Sequence, residues 1–523
     1  MRKTENEKAE GCEVSLDPNI FDPELFGEHA GIAVAYLKSY MNDVSVRGLN
    51  LIDPPSLIDA AKKLMTKESD TIAPFDEKRF RMILDLYIGT GIPVYSTGYM
   101  GRQFSGVVPL AGIFDLVSSI SNQPASFYEA GQLPNVAEQI MSTELNRFIG
   151  FEDKQFTMVS TSGGSLANLT ALLAARNDKL PGVWSNGMPA GVRDGIPAIA
   201  ISEDAHYSIT RAAGILGIGE SRIIRLPVNR AGQIRAEKVQ AILDEARAGG
   251  LNVFCLVASA GTTSMGAFDP IEELSGIAKK NDMWLHVDGA HGGGLLVSDK
   301  FRYRLKGIEN ADSLTWDAHK MLFVPAPCSL LFYKNKEKSY GAFKQEASYV
   351  FEDHADIYSE YEGAEKNFEC TKRPSIMNLW LLWAMHGKAL FAEKIGYLCR
   401  LCRDAYELLN EEPDFEIIHE PECNILCFRY KPQNMQEYII PDFQIQIRNR
   451  IRSNGMFFIS KVNIHGETAL RAVFMNHEIK SAHFRLLLEQ IRQAGQLIIN
   501  EHTNIILNEQ KHGSQVFLNN VCL

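Results

Sequence analysis

The chain has 523 residues, 45% of them apolar and 22% charged, with a formal net charge of −11. That length and composition belong to a globular protein with more than one compact part and exclude a fibrous or mostly disordered chain. The acidic balance, without a dense Lys/Arg tract, argues against nucleic acid or a membrane as partner and leaves any anionic ligand to a local basic pocket.

The opening MRKTENEKAEGCEVSLDP lacks the apolar run of a secretion signal, and the most apolar later segment, Leu379 to Leu390, is interrupted by His386, Gly387 and Lys388. A reducing cytoplasm is therefore the expected location. Nine scattered cysteines, with Cys255, Cys423 and Cys427 inside apolar stretches, read as buried thiols rather than a disulfide framework. The pairs Cys399/Cys402 and Cys423/Cys427 have no matched second pair or histidine cluster, so no metal is expected.

In GEHAGIAVAYLKSYMNDV the helical period places Ile32, Ala35, Leu37 and Met41 near one side, and Asp53-Pro54-Pro55-Ser56 introduces a second helix, IDAAKKLM. Residues 1–93 are expected to be a helical arm able to pack on a partner subunit. From Val94 to Tyr333, glycine-rich turns separate the apolar runs AIAISED, RIIRLPV, NVFCLVAS, MWLHVDG and CSLLFY. Their sparse alternation predicts strands covered on both faces, hence an α/β domain over residues 94–390 with a mostly parallel central sheet. After Gly261-Thr262-Thr263, Asp269 is expected to cap a crossover helix with Pro270 at its first position and Glu272 completing the cap. The polar, tyrosine-rich stretch 341–372 reads as a mobile loop covering a site. Residues 391–523 form a smaller C-terminal α/β part, with strands NILCFRY and GMFFIS and the helix HFRLLLEQIRQAGQLII.

Four features carry chemistry. Thr161-Ser162-Gly163-Gly164-Ser165 precedes the helix LANLTALLAARND, where exposed N–H groups and the Ser162 or Ser165 hydroxyl can receive a phosphate. His206, after AIAISEDA, can lie against a flat ring. Asp288 ends MWLHVD beside small residues and can hold a protonated ring nitrogen, and Lys320, just beyond SLTWDAH, can form an imine with an aldehyde. Together, on successive strand ends, they match the needs of pyridoxal 5'-phosphate.

The motifs TSGGSLAN, HYSI, GTTSMGAFDP, HVDGAHGG and DAHK resemble those of the group II pyridoxal-phosphate-dependent amino-acid decarboxylases. That fold-type I family includes glutamate, cysteine-sulfinate, aspartate, diaminobutyrate and aromatic amino-acid decarboxylases, and the resemblance runs from about Val94 to Lys480. It implies a fold-type I α/β architecture and an intimate homodimer with active sites near the subunit boundary, where Cys328-Ser329 or the covering segment can contribute. It makes Lys320 the lysine bonded to the cofactor, Asp288 the partner of the ring nitrogen and His206 the stacking histidine. Ala290 would contact the other ring face, Gly164 and Ser165 the phosphate, Thr262 the ring substituents, and His319 the phosphate or the lysine. Gln103 and Arg102, in GRQFS, and Arg471, in LRAVFMNHEI, would meet the substrate, Arg471 through its carboxylate. Tyr358 would return the proton if the covering segment is displaced by one residue, since the family tyrosine falls nearest Ile357; His206 or water is the alternative.

The chain departs from the family at Gly289, at His291, where an aromatic residue is usual, and at Arg102, a position that is often neutral. The implied activity is decarboxylation of an L-amino acid to its amine, with aspartate, glutamate or cysteine sulfinate favoured. L-2,4-diaminobutyrate, carbon-carbon lyase chemistry and a non-catalytic homologue are the alternatives.

Overall fold

The computed structural model describes residues 20–44, 52–66, 73–188, 195–343, 361–432 and 440–519. The chain divides into two compact units, Met1–Ser96 and Thr97–Leu523.

The first unit holds three helices, Pro23–Asp43, Pro54–Lys63 and Glu77–Thr90. Each starts where an aspartate accepts a backbone N–H of the first turn: Asp22 from Glu24, Asp53 from Ser56 and Asp76 from Arg79. Proline fits the opening positions of the first two because its missing N–H would have no helical partner there. The Tyr36 hydroxyl donates to Asp85 at 2.7 Å, tying the first helix to the third. None of the three helices has a buried residue, and Leu37 and Met41 are exposed.

The second unit contains the strands β1 (Tyr99–Met100), β2 (Thr157–Thr161), β3 (Ile196–Ser202), β4 (Ile223–Leu226), β5 (Leu251–Ser259), β6 (Trp284–Asp288), β7 (Ser313–Asp317), β8 (Ser329–Tyr333), β9 (Phe415–Ile417), β10 (Ile425–Tyr430), β11 (Phe458–Ile464) and β12 (Glu467–Val473). Seven form the central sheet in the order β2-β8-β7-β6-β5-β3-β4. All run in one direction except β8, which is antiparallel to both β2 and β7. Every residue of β6, β7 and β8 is buried, which is why these runs show no polar alternation. The register sets Ser259 beside Asp288, Asp288 beside Thr315, and Ser329 between Thr161 and Asp317. The carboxyl ends of β2, β5, β6 and β7 therefore share one edge, where open α/β sheets collect ligands.

The crossover helix between β5 and β6 spans Ile271–Lys280, but Asp269 does not cap it; Pro270 is the residue before the helix and no side chain caps it. Asp269 is instead buried and accepts the backbone N–H groups of Ile234 at 2.7 Å and Ser259 at 2.6 Å. Two donors from separate segments outcompete a local cap, and burial pushes its carboxyl up to about 7. The Asp-Pro-x-Glu pattern cannot report partners so distant in sequence.

The second sheet has the order β1-β11-β12-β10-β9, with β1 parallel to β11. The two-residue β1 was not foreseen, since a strand this short carries no period; it carries the chain from this sheet into Gly101–Ser105. The helical stretch Ile376–Asn410 has Gly387 in the left-handed region at φ 62, a kink at the expected interruption. Among the described residues no helix is long and apolar enough to cross a membrane.

Candidate active site

At the shared strand ends lies a cavity of about 310 Å³ lined by Ser162 to Ser165, Asn168, His206, Ser259, Gly261 to Thr263, Asp288, Ala290, His291, Asp317, His319 and Lys320. It brings together Gly164, Ser165, His206, Thr262, Asp288, Ala290, His319 and Lys320, the whole predicted cofactor set.

One wall is the start of the helix Gly164–Lys179. Gly163 precedes it at φ 120 and no side chain caps this 16-residue helix, while the Leu166 and Ala167 N–H groups donate to the Gly163 carbonyl, which leaves the N–H groups of Gly164 and Ser165 at the cavity end. Gly164 is required, because a Cβ there would stand 2.7 Å from Asp317 Oδ1. The Ser162 hydroxyl is already engaged: it donates to Glu369 at 2.5 Å, and its N–H donates to the same carboxylate at 3.2 Å. Ser165 is thus the better placed of the two serines for a phosphate.

Asp288 ends β6 and is oriented by a directional chain of hydrogen bonds. Trp284 Nε1–H donates to Ser313 Oγ at 2.9 Å, and Ser313 Oγ stands 2.8 Å from His286 Nδ1. His286 Nε2 meets Asn168 Oδ1 at 3.0 Å, and Asn168 Nδ2 donates to Asp288 Oδ2 and Ser208 Oγ, both at 2.9 Å. The indole can only donate, so each successive group has one consistent role, and His286 carries its proton on Nε2. Burial pushes His286 down to about 4, keeping it neutral in that role.

The same chain fixes His206. Its Nδ1 receives the Ser208 backbone N–H at 3.3 Å and lies 2.8 Å from Ser208 Oγ, whose proton it accepts, so Nε2 carries the ring hydrogen. Burial lowers its pKa, so the ring stays a neutral, flat surface. Asp288 Oδ1 accepts the Ala290 N–H at 3.2 Å, and Ala290 O accepts the Asp317 N–H at 3.1 Å, locking the turn after β6 to the end of β7. Thr262 Oγ1 accepts the Ala267 N–H at 3.0 Å.

Lys320 Nζ lies 3.0 Å from Asp317 Oδ2, and His319 Nε2 is 3.8 Å from the same oxygen. His319 Nδ1 is 2.8 Å from the Cys328 carbonyl oxygen. Ser105 Oγ donates to the Lys320 carbonyl at 2.9 Å, so the Gly101–Ser105 segment reaches the lysine from the side of the second sheet.

Arg102, Gln103 and Arg471 are not among the residues lining the cavity. Arg471 is buried on β12; its Nη1 donates to the Gly101 carbonyl at 3.4 Å, while its Nε and Nη2 have no partner. Burial lowers its pKa. Gln103 Nε2 is likewise buried without a partner, and Arg102 is exposed. His291 Nε2 meets Asn424 Oδ1 at 2.7 Å, and because Asn424 Nδ2 donates to the Phe474 carbonyl, His291 must carry its hydrogen on Nε2. Burial beside Lys320 pushes it down to about 3. Tyr358, and most of the expected covering loop, lie outside the described residues. The described end of that stretch packs under the helix start, where Asn367 Nδ2 donates to the Ser160 carbonyl at 2.8 Å.

Sequence reasoning missed Asn168, Asp317, His286 and Glu369. The first three stood inside the quoted motifs, but a motif match gives no direction to a side chain.

The α/β sheet thus gathers a helix start, a strand-end carboxylate, a neutral histidine and a lysine around one cavity, a set that a flat, anionic aldehyde would fit. The donor set fits pyridoxal phosphate: Gly164 and Ser165 would take its phosphate, Asp288 its ring nitrogen, His206 and Ala290 its faces, and Lys320 its aldehyde. The pyridoxal-dependent decarboxylase conserved domain matches residues 117–431. An L-aspartate decarboxylase of Metarhizium robertsii is 32% identical over 343 residues, covering 65% of this chain and 68% of that relative. In three dimensions the chain is similar to mouse CSAD, at 22% identity and a TM-score of 0.83 over 91% of this chain and 99% of that one. Oryza sativa TDC is similar at 20% identity and a TM-score of 0.84, over 92% and 99% of the two chains. The protein belongs to the group II pyridoxal-dependent decarboxylase family, with the fold-type I architecture.

Proposed function

We propose that this protein removes the α-carboxylate of a small acidic L-amino acid, aspartate, glutamate or cysteine sulfinate, releasing carbon dioxide and the amine. The observation that carries this reading is the segment Gly101–Ser105, which accepts from Arg471 at its first residue and donates to the Lys320 carbonyl at its last. It connects a buried arginine with two unpartnered donors to the lysine proposed to hold the cofactor.

Pyridoxal phosphate, when bound, supplies a sink for the electron pair left as carbon dioxide departs. Arg471, with two unpartnered donors in a buried setting, binds a substrate carboxylate as a forked, charge-assisted pair. Asp288, held in place by Asn168 and the Ala290 N–H, would take the cofactor's ring nitrogen. His206 presents a neutral ring face and an Nε2–H that can hold or pass a proton, with Tyr358 the other candidate for that step. Lys320, with its Nζ 3.0 Å from the Asp317 carboxylate, would hold the cofactor's aldehyde and give it up to the substrate's amino group. The name borne by the Metarhizium relative supports aspartate as the first substrate to test.

A homodimer located in the cytoplasm completes the proposal, with apolar Leu37 and Met41 of the helical arm available to a second copy. The test is a panel of aspartate, glutamate, cysteine sulfinate and 2,4-diaminobutyrate supplied separately to the holoenzyme, with carbon dioxide and amine measured by mass spectrometry. Release from one acidic amino acid is expected. Release from diaminobutyrate alone would overturn the acidic-substrate reading, and an aldehyde fragment without carbon dioxide would mark lyase chemistry.

A further inference from the structure

Asp317 was given no role by the sequence, yet it is the most heavily compensated charge in the site. It ends β7 at 3% exposure, under the start of the helix Gly164–Lys179, with Gly164 packed directly on its carboxylate. It accepts the Ser329 hydroxyl from the neighbouring strand, and Lys320 Nζ is 3.0 Å away. The imidazole of His319 faces the same oxygen at 3.8 Å, and the ring of His206, the ring of His291 and the Cys328 thiol all feel its charge.

A carboxylate beneath a helix start that is meant for a phosphate would be a poor choice if its only task were packing, because two anions would then share one positive end. The geometry resolves this through Lys320, whose amine sits on the Asp317 side of the cavity wall. Burial acts to raise the Asp317 carboxyl, but Lys320, His319 and Ser329 together hold it below the usual range, so the carboxylate stays charged across neutral pH.

We propose that Asp317 is a positioning residue that serves as the counter-ion of the Lys320 nitrogen, fixing where that nitrogen sits and keeping it protonated once it is bonded to the cofactor. No atoms are exchanged in this role. The carboxylate remains ionised and the nitrogen keeps a proton that it would otherwise lose at a lower pH. The inference rests on the assignment of Lys320 as the cofactor's covalent residue.

The test is a pH titration of the visible absorbance band of the holoenzyme, which reports protonation of the carbon–nitrogen bond to Lys320. Asp317→Asn keeps the shape and removes the charge. Its titration midpoint is expected to fall by roughly one to three pH units, the effect of removing an opposite charge at this range. Ser329→Ala keeps the carboxylate and removes one of its hydrogen-bond donors, so its midpoint is expected to move the other way, by less. It also serves as the test if Asp317→Asn does not fold. Asp317→Glu should recover much of the wild-type midpoint. A midpoint indifferent to Asn at 317, or to alanine at 329 where the first variant does not fold, overturns the counter-ion role and leaves the Lys320 assignment standing. The absence of any Lys320-dependent band in the wild-type protein overturns both.

Discussion

Lys320→Ala is expected to lose carbon dioxide release by at least 10²- to 10⁴-fold, roughly the effect of removing a positioned proton carrier alone, with the loss of the covalent anchor added to it. Alanine would also leave the buried Asp317 carboxylate without its 3.0 Å partner, so lost activity could be confused with damage to the fold. Lys320→Arg separates the two. Its guanidinium keeps a positive charge beside Asp317 but stays protonated and cannot bond an aldehyde. Activity should therefore be lost in both variants while Lys320→Arg keeps the wild-type thermal midpoint. Retention of more than about a tenth of the wild-type rate in either variant would remove Lys320 from the chemistry.

The second large effect is on stability. Lys372 Nζ pairs with Glu138 Oε1 at 2.6 Å, with side-chain exposures of 2% and 4%, and also donates to the Ser160 carbonyl at 2.9 Å. The Ser160 N–H and hydroxyl donate to the same carboxylate oxygen. Lys372→Met removes the only cation in this group and strands a buried carboxylate, which should cost about 3–5 kcal/mol in chemical denaturation. Glu138→Gln combined with Lys372→Met removes the stranded charge and should recover most of the loss. The strand residue involved, Ser160, lies two positions before the Ser162 turn, so weaker cofactor retention is expected in the single variant as well. A loss below about 1 kcal/mol would mean that the site relaxes or admits water.

The buried runs of β5, β6 and β8 and the helix after the Thr161–Ser165 turn were legible in the sequence, because continuous apolar stretches bounded by glycine leave few alternatives in a large domain. The cofactor set was legible for another reason: Gly164, His206, Asp288 and Lys320 each fall at the end of such a run, so finding the strands also found the residues. What stayed hidden depends on contacts between distant segments. Asp269 reads as a cap and instead receives N–H groups from Ile234 and Ser259. Lys372 reads as a solvated charge within a polar stretch and proves to be buried against Glu138, 234 positions earlier. Asn168 looks like one more polar residue on a helix, yet it is the link between His286, Ser208 and Asp288. Arg471 was placed by motif alone; the structure adds that two of its donors are buried and unsatisfied.

This chain is expected to hold pyridoxal phosphate through Lys320. Borohydride reduction of the cofactor-loaded protein, followed by proteolysis and mass spectrometry, tests it at the level of a single residue. A stable phosphopyridoxyl mass is expected on the peptide containing Lys320, with no such mass in Lys320→Ala. A label on another lysine, or none on a protein that still releases carbon dioxide, would contradict it.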